Sequence, residues 1–275
     1  MAETLSPTAE ATAPALAQAT AELASAGCDS PRLDAELLLA AACGVARERL
    51  LLDRERTLHP DEAARFRALL ARRAAREPVA YILGRKPFRR LWLTVDRRVL
   101  IPRPETELLV EVGLELPRRT RVADVGTGSG AVALALKHER PDLHVTGIDC
   151  DPRALQVARA NRSRLGLDVR LVQADLLDAG PYDAVLANLP YVAHGAQLAR
   201  EIAGYEPPTA LFAGPDGLHA IRRLMTRVSA IPVVALEVGS DQAGDAAELL
   251  RGARFESIER LEDLAGHERV IVGRR

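Results

Sequence analysis

The chain has few residues of the kinds that mark disulfide-stabilised, zinc-binding or base-stacking proteins. Three cysteines among 275 residues are too few and too scattered for a disulfide framework or a zinc site, so no bound metal is predicted. Aromatic residues make up only 3% of the chain, and the net charge of −1 gives no overall attraction to nucleic acid. No apolar run reaches the length of a membrane span, and residues 1–14 lack the features of a secretory signal. These absences predict a cytoplasmic protein without a membrane anchor.

The N-terminal part of the sequence has a helical pattern. Proline at the first position of a helix and glycine just after its end indicate one helix from Pro31 to Gly44. A second helix is predicted to begin at Pro60 and to end before Pro78. The apolar face of the first helix is expected to consist of Leu33, Leu37, Leu38 and Ala41. Residues 1–75 are therefore predicted to form a small helical domain.

Residues 76–103 are predicted to form a connecting β-hairpin. Short apolar or alternating runs over 79–84 and 91–100 are its expected strands, and residues 84–87 are its expected turn. The segment carries eight basic and two acidic residues, a net charge of +6, whereas residues 1–75 have a net charge of −2. Such a local cluster suits either a solvated hairpin surface or the docking of an acidic or RNA-associated partner.

From residue 121 onward strand patterns alternate with helix patterns, which predicts an α/β domain built on a mostly parallel sheet. Parallel strands are expected at 121–125, 143–148, 169–172, 182–187 and 233–238. Helices are expected at 130–138, 152–165 and 241–250, and an antiparallel strand pair at 255–260 and 269–272. Residues 104–275 are assigned to this domain.

A glycine-rich turn follows the first of these strands and opens the next helix. Glycine at such a turn lets the backbone approach a ligand where a Cβ would collide. Asp149 ends the second strand, where its carboxylate can accept both ribose hydroxyl protons, although it could instead cap the helix at 152. Asp175 is expected to meet an adenine amino group, with Leu176 packing on the ring. The turn itself is predicted to bind the cofactor through Gly126, Thr127, Gly128, Ser129 and Gly130.

This turn suits an adenosyl ligand better than a dinucleotide. It lacks the third glycine of the G-x-G-x-x-G pattern that surrounds a pyrophosphate. Asp124, directly before it, would repel a pyrophosphate but attract a sulfonium or an ammonium group. S-adenosylmethionine is therefore the predicted cofactor. The predicted fold is a class I (Rossmann-like) S-adenosylmethionine-dependent methyltransferase with an N-terminal helical bundle and a connecting β-hairpin.

A second motif follows the fourth strand, in the crevice where open α/β sheets bind ligands. The Asn188 side-chain oxygen and the Leu189 carbonyl can accept the two N–H groups of a planar amide and favour a more nucleophilic nitrogen. Pro190 holds Leu189 extended, and Tyr191 offers a flat face to the amide. We predict catalytic roles for Asn188, Pro190 and Tyr191, target binding by all four residues, and a cofactor contact for Asn188. A strand-ending turn without a catalytic role is the alternative.

These motifs together resemble the bacterial release factor glutamine N5-methyltransferases, the PrmC/HemK family. The resembling segments are EPVAYILG at 77–84, VLIPRPETE at 99–107, GTGSG at 126–130, NLPY at 188–191, YEPP at 205–208, DGL at 216–218, LEVG at 236–239 and DLAG at 263–266. The resemblance implies methylation of the glutamine side-chain nitrogen in the Gly-Gly-Gln motif of peptide chain release factors. It implies that residues 126–130 and Asp149 bind S-adenosylmethionine, that Leu176 lines the adenine, and that residues 188–191 hold the glutamine. The N-terminal helices and the hairpin would help to dock the release factor.

One departure from the family motif Asn-Pro-Pro-Tyr is Leu189, which replaces its first proline. Because the acceptor there is a backbone carbonyl, we expect activity to persist with a modest loss of preorganisation. Two alternatives remain: an N-methyltransferase acting on an exocyclic amino group of rRNA or DNA, and a non-catalytic release-factor-binding protein. The slightly acidic helical domain and the scarcity of aromatic residues disfavour the first. A monomer without sequence-specific nucleic acid binding is expected.

Overall fold

The computed structural model describes residues 11–53 and 56–275, so the first ten residues of the predicted helical domain lie outside the described residues. The helices are α1 Thr12–Ser25, α2 Pro31–Cys43, α3 Arg47–Leu52, α4 Pro60–Ala74, α5 Val79–Leu83, α6 Glu107–Leu114, α7 Ala131–Glu139, α8 Pro152–Leu165, α9 Arg200–Tyr205, α10 His219–Met225 and α11 Ala243–Gly252. The strands are β1 Arg85–Phe88, β2 Leu91–Thr94, β3 Arg121–Val125, β4 His144–Asp149, β5 Arg170–Gln173, β6 Ala184–Ala187, β7 Val233–Glu237, β8 Ser257–Glu262 and β9 Glu268–Arg274. Short 3-10 helices cover Pro104–Thr106 and Pro208–Ala210.

The chain folds into two compact units. Among the described residues, one unit contains those up to Gly84 together with Ala199–Tyr205, and the other contains Arg85–Leu198 and Glu206–Arg275. The functional division drawn from the sequence, at residues 1–75, 76–103 and 104–275, stays a prediction. In the part of the chain that the structure describes, no helix has both the length and the apolar character needed to cross a membrane.

The first unit is a helical bundle, as predicted. The two predicted helices appear as α2, which begins at Pro31, and α4, which begins at Pro60. His59 and Glu62 form a reciprocal cap at the start of α4, which satisfies backbone N–H groups that the first turn leaves unpaired. The apolar core of the unit includes Leu23, Leu38, Leu39, Phe66 and Leu70.

The buried face of α2 differs from the predicted one. Leu33 is 43% exposed and Ala41 is also exposed, so of the predicted face only Leu38 is fully buried. Because α2 is apolar on several sides, periodicity alone does not choose between faces. Asp34 is also buried, where it pairs with Arg73 of α4 at 2.7 Å. The face that enters the core comprises Ala35, Leu38, Leu39 and Ala42.

A segment distant in sequence completes the first unit. Glu201 of α9 pairs with Arg73 at 3.0 Å and with Arg76 at 2.6 Å, and all three side chains are largely buried. The Tyr205 hydroxyl donates to the backbone carbonyl of Ala75 at 2.8 Å. These contacts explain why residues 199–205 belong to this unit, a placement for which the local sequence has no signal.

The second unit begins with the hairpin, whose first strand was predicted at the wrong position, whereas β2 begins at residue 91 as predicted but ends at Thr94. Residues 79–83 form the helix α5 rather than a strand, and most of the expected turn at 84–87 is the strand β1. Gly84, with a φ of 67°, ends α5, and the hairpin turns at Arg89 and Arg90. A five-residue apolar run has no alternation that separates a helix from a buried strand, which explains the error.

The rest of the second unit is an α/β layer structure, as predicted. Its seven-stranded sheet, formed by described residues, has the order β5-β4-β3-β6-β7-β9-β8, and β3 to β7 pair in parallel. β9 pairs antiparallel with both β7 and β8, which confirms the predicted C-terminal strand pair. Alternate strand residues enter two apolar cores, one with α6 and α7 and the other with α10 and α11. The carboxyl ends of β3, β4 and β6 therefore meet at one edge of the sheet.

Candidate functional site

A cavity of about 290 Å³ opens at that edge, close to the lower end of the usual range for small-molecule sites. Ten of the twelve predicted site residues line it, whereas Gly130 and Tyr191 do not. The structure thus brings the predicted cofactor turn and most of the predicted target motif to one place. The ten are Gly126, Thr127, Gly128, Ser129, Asp149, Asp175, Leu176, Asn188, Leu189 and Pro190.

The glycine-rich turn lies directly against the target motif. The N–H groups of Gly126 and Thr127 both donate to the Ile148 carbonyl at 2.9 Å, which ties the turn to β4. Gly126 has a φ of 78°, and a Cβ built on it would lie 2.9 Å from the carbonyl oxygen of Asn188. Only glycine allows the two backbone segments to approach this closely without strain.

The buried carboxyl of Asp124 holds the glycine-rich turn in place through hydrogen bonds. Its carboxyl is 2% exposed, and its Oδ2 accepts the Thr127 hydroxyl at 2.6 Å and the Ala133 N–H at 3.0 Å. Burial raises the pKa of Asp124 to about 6. The group therefore holds the turn and the start of α7 together and carries a negative charge beside the cavity near neutral pH.

Asp149 is held rigidly at the end of β4. Its Oδ2 accepts the Gly128 N–H and its Oδ1 accepts the Asp151 N–H, each at 2.9 Å. The alternative interpretation of Asp149 as the cap of α8 is wrong, since Asp151 accepts the Arg153 N–H at 2.8 Å in that role. A carboxylate has about four acceptor sites, so Asp149 keeps acceptor capacity for hydroxyl groups. Burial raises the pKa of Asp149.

The predicted adenine contacts lie at the cavity wall. Leu176 is 8% exposed and adopts a φ of 68°. Asp175 is more than half exposed, and its carboxylate pairs with Arg223 and lies 3.9 Å from Arg227. Arg223 also lines the cavity and is a residue that the sequence reasoning missed. An adenine amino group would therefore share the Asp175 carboxylate with a guanidinium.

The target motif presents its asparagine in a defined orientation. Asn188 Nδ2 donates to the Thr106 hydroxyl at 3.1 Å, which leaves Oδ1 as the acceptor of the side chain. Leu189, 6% exposed, packs in the apolar core of the second unit, with its Cδ2 3.4 Å from the Cβ position built on Gly126. The residue that departs from the family motif thus contributes its side chain to packing beside the turn, in addition to its carbonyl.

The backbone of Tyr191 is fixed by residues that the sequence reasoning gave no role. Gln242 Nε2 donates to the Tyr191 carbonyl at 2.9 Å and to the Asp216 carbonyl at 3.1 Å. A Cβ at Gly217 would lie 2.1 Å from the same Tyr191 oxygen, so glycine is required there. Burial raises the pKa of Tyr191 to about 12, which keeps the phenol neutral. Gly217 lies in the segment DGL, which the sequence analysis singled out only as a mark of resemblance.

Two other segments that the resemblance singled out, at residues 99–107 and 205–208, lie together behind the cavity. Glu206, 3% exposed, accepts the Ile101 N–H at 3.1 Å and pairs with Arg103. Thr106, near the end of the segment at 99–107, lines the cavity and contacts Asn188. The sequence reasoning used these segments only as marks of resemblance. Their structural role is to build one wall of the site.

Several basic side chains of the hairpin region contact groups within the second unit. Arg89 pairs with Glu139 at 2.6 Å, Arg98 pairs with Asp96 at 2.6 Å, and Arg103 pairs with Glu206. The Arg85 guanidinium lies 4.8 Å from the centre of the Trp92 ring. These contacts neutralise part of the local positive charge, and the choice between a solvated hairpin surface and the docking of an acidic or RNA-associated partner stays a prediction.

Known proteins resemble this chain over nearly its whole length. Residues 14–84 match the family model described as the PrmC N-terminal domain, and residues 104–204 match the methyltransferase small domain. The release factor glutamine methyltransferase of Deinococcus radiodurans is 41% identical, over 94% of this chain and 97% of its own. That of Caulobacter vibrioides is 38% identical, over 91% of this chain and 92% of its own.

A solved structure, the hMettl16 catalytic domain, is similar with a TM-score of 0.55 at 14% identity, over 80% of this chain and 84% of its own. This likeness concerns the fold alone. The predicted class I methyltransferase fold is confirmed, and S-adenosylmethionine is the cofactor that this enzyme class uses. Together with the identity over nearly the full length of both relatives, the site geometry leads to one assignment: the chain belongs to the release factor glutamine methyltransferase family.

Proposed function

We propose that this chain methylates the side-chain amide nitrogen of the glutamine in the Gly-Gly-Gln motif of peptide chain release factors. The observation that carries this proposal is the Asn188 amide, oriented by Thr106 and in backbone contact with the cofactor turn through Gly126. An amide nitrogen is a weak nucleophile, so its enzyme needs fixed acceptors beside a strong methyl donor. The relatives named above carry this activity in their names.

S-adenosylmethionine, when bound, supplies a methyl group on a positively charged sulfur that leaves readily. We propose that the turn 126–130 holds the cofactor, that Asp149 accepts its ribose hydroxyl protons, and that Leu176 packs on its adenine. The rigid bonds from Gly128 and Asp151 to the Asp149 carboxylate support this role, because a preorganised acceptor costs little entropy on binding. The negative charge of Asp124 favours a cationic ligand.

The target glutamine requires two acceptors and a flat surface. We propose that Asn188 Oδ1 and the Leu189 carbonyl accept its two N–H groups and stabilise the positive charge that develops on the nitrogen. Pro190 restricts Leu189 to extended conformations, and its ring lines the same cavity. Tyr191 is held by Gln242 and stays a neutral phenol, so it would act through its ring face rather than as a base.

The release factor is the proposed partner, and we propose that it is modified in the cytoplasm, where translation terminates, by a monomeric enzyme. The alternative substrates, exocyclic amino groups of rRNA or DNA, call for a cationic surface and stacking aromatic residues. The internal pairing of Arg89, Arg98 and Arg103 argues against such a surface. A non-catalytic binding protein would not need the preserved cofactor turn and its bonds to Asp149.

Mass spectrometry of purified release factor after incubation with the protein and S-adenosylmethionine tests the proposal. We expect one added methyl group on the motif glutamine, and none when that glutamine is replaced by alanine. Asn188→Ala should reduce the rate by about 10²–10³-fold, the loss expected for one preorganised transition-state contact, while the fold and most cofactor affinity remain. Methylation of rRNA or DNA but not release factor would refute the proposal, as would a protein that does not bind S-adenosylmethionine in a calorimetric titration.

A further inference from the structure

The proposed reaction leaves one buried ionisable group without a role. Glu237 ends β7, and its side chain is almost fully buried. Its Oε2 has no hydrogen-bond partner among residues 11–53 and 56–275. Burial raises the pKa of Glu237 to about 7. A buried carboxyl with an unsatisfied oxygen destabilises a fold, so packing does not explain why this position holds a glutamate.

The contacts of Glu237 lead to the target motif through one hydroxyl. The Thr106 hydroxyl lies beside the Glu237 carboxyl, to which it can donate a hydrogen bond that favours the ionised form of the acid and so opposes the effect of burial on its pKa. The same hydroxyl oxygen accepts Asn188 Nδ2–H at 3.1 Å. Thr106 is 4% exposed, so few competing waters reach it. Thr106 therefore stands between the Glu237 carboxyl and the Asn188 amide, with one hydroxyl group available to both.

The direction of these bonds decides which end of the Asn188 amide faces the target. A hydroxyl has one proton and two lone pairs. When that proton goes to the Glu237 carboxylate, Thr106 offers Asn188 only an acceptor, so the NH₂ group must turn toward Thr106 and Oδ1 toward the other side. Without Glu237, the hydroxyl could donate to Oδ1 equally well, and the amide could flip.

We infer that Glu237 is a positioning residue that, through the Thr106 hydroxyl, holds the Asn188 amide with its oxygen available to the target nitrogen. This inference rests on the proposed function, since it assigns a purpose to the orientation of Asn188. It also gives the segments at 99–107 and 236–239 a shared task, because Thr106 comes from the first and Glu237 from the second.

Two matched pairs of variants test the chain of bonds. Thr106→Val removes the hydroxyl at nearly constant shape, and Thr106→Ser keeps it. Glu237→Met removes the acceptor, and Glu237→Gln keeps one. We expect kcat for release factor methylation to fall about 10- to 100-fold in the Val and Met variants, as for a misplaced reacting group. The Ser and Gln variants should recover most of that loss, and Glu237→Met should melt no lower than the wild type because it removes an unsatisfied buried group.

A spectroscopic measurement on the free protein separates this inference from the proposed function. The side-chain amide signals of Asn188, identified by their absence in Asn188→Ala, should shift upfield in Thr106→Val and Glu237→Met and stay close to wild type in Thr106→Ser and Glu237→Gln. If the wild type does not methylate release factor, the proposed function fails, and these signals alone decide the inference. Unshifted signals, normal kcat in the Val and Met variants, or equal loss of kcat in both members of each pair would overturn it.

Discussion

Replacing Gly126 by alanine perturbs the point where the cofactor turn and the target motif touch. Gly126 has a φ of 78°, a region that costs an L-residue with a side chain roughly 1–2 kcal/mol. Its new Cβ would also lie 2.9 Å from the backbone carbonyl oxygen of Asn188 and 3.4 Å from Cδ2 of Leu189. A backbone oxygen cannot rotate away as a flexible side chain would, so the turn or the motif has to move.

Gly166 provides a matched control for the backbone part of this cost. It ends α8 with a φ of 65°, and apart from its chain neighbours no heavy atom of the described residues lies within 4 Å of its Cβ position. Gly166→Ala should therefore cost about 1–2 kcal/mol from the left-handed conformation alone. Gly126→Ala should cost more, and the difference between the two variants measures the contact with Asn188.

The activity should separate the two variants more sharply than the stability. A displacement of about 1 Å in a positioning group can cost about 100-fold in rate, so kcat/KM for release factor methylation should fall by about 10- to 100-fold in Gly126→Ala. Gly166 lies outside the cavity, and its variant should keep the wild-type rate. Thermal melting and methyl transfer to release factor are the two assays. A Gly126→Ala protein that melts like the control and methylates at the wild-type rate would refute the reasoning.

Two further predictions concern the acidic groups of the site. Asp149→Ala should weaken S-adenosylmethionine binding by roughly 1.5–3 kcal/mol, the range for hydrogen bonds to a charged group, and unchanged affinity by calorimetry would remove Asp149 from the ribose site. The pKa of Asp124 is raised from 3.8 to about 6, so the folded state binds this proton more tightly than the unfolded chain does. Stability should therefore fall by about 3 kcal/mol as pH rises from about 4 to 6. Asp124→Asn should lack that loss, and melting curves that change in parallel for both proteins from pH 4 to 8 would contradict the expectation.

The sequence by itself determined the parts of this protein that depend on local pattern. The strand β3 and the helix α8 lie where periodicity and flanking residues predicted them. The parallel pairing of the central strands follows from the alternation of strands and helices along the chain. The glycine turn and the motif at 188–191 were recognisable because each is a short run of special residues. Their meeting at one cavity follows from the rule that carboxyl ends of parallel strands share an edge.

Predictions from the local sequence pattern were wrong where a short run of residues is compatible with more than one structure. The apolar residues 79–83 suit a buried strand or a helix, and in the structure they form a helix that ends at Gly84 in a left-handed conformation. The helix α2 is apolar on several sides, so its core face depended on packing and on the buried pair between Asp34 and Arg73. Neither choice can be read from spacing alone.

Only the tertiary structure decided the contacts between residues far apart in the chain. Asn188 meets Thr106 across 82 positions, and Glu201 meets Arg73 across 128. Such contacts depend on which surfaces the fold brings together, and a single sequence has no local signal for that. The orientation of the Asn188 amide is therefore a property of the folded molecule, because a hydrogen bond acts only over about 3 Å in space, whatever the separation along the chain.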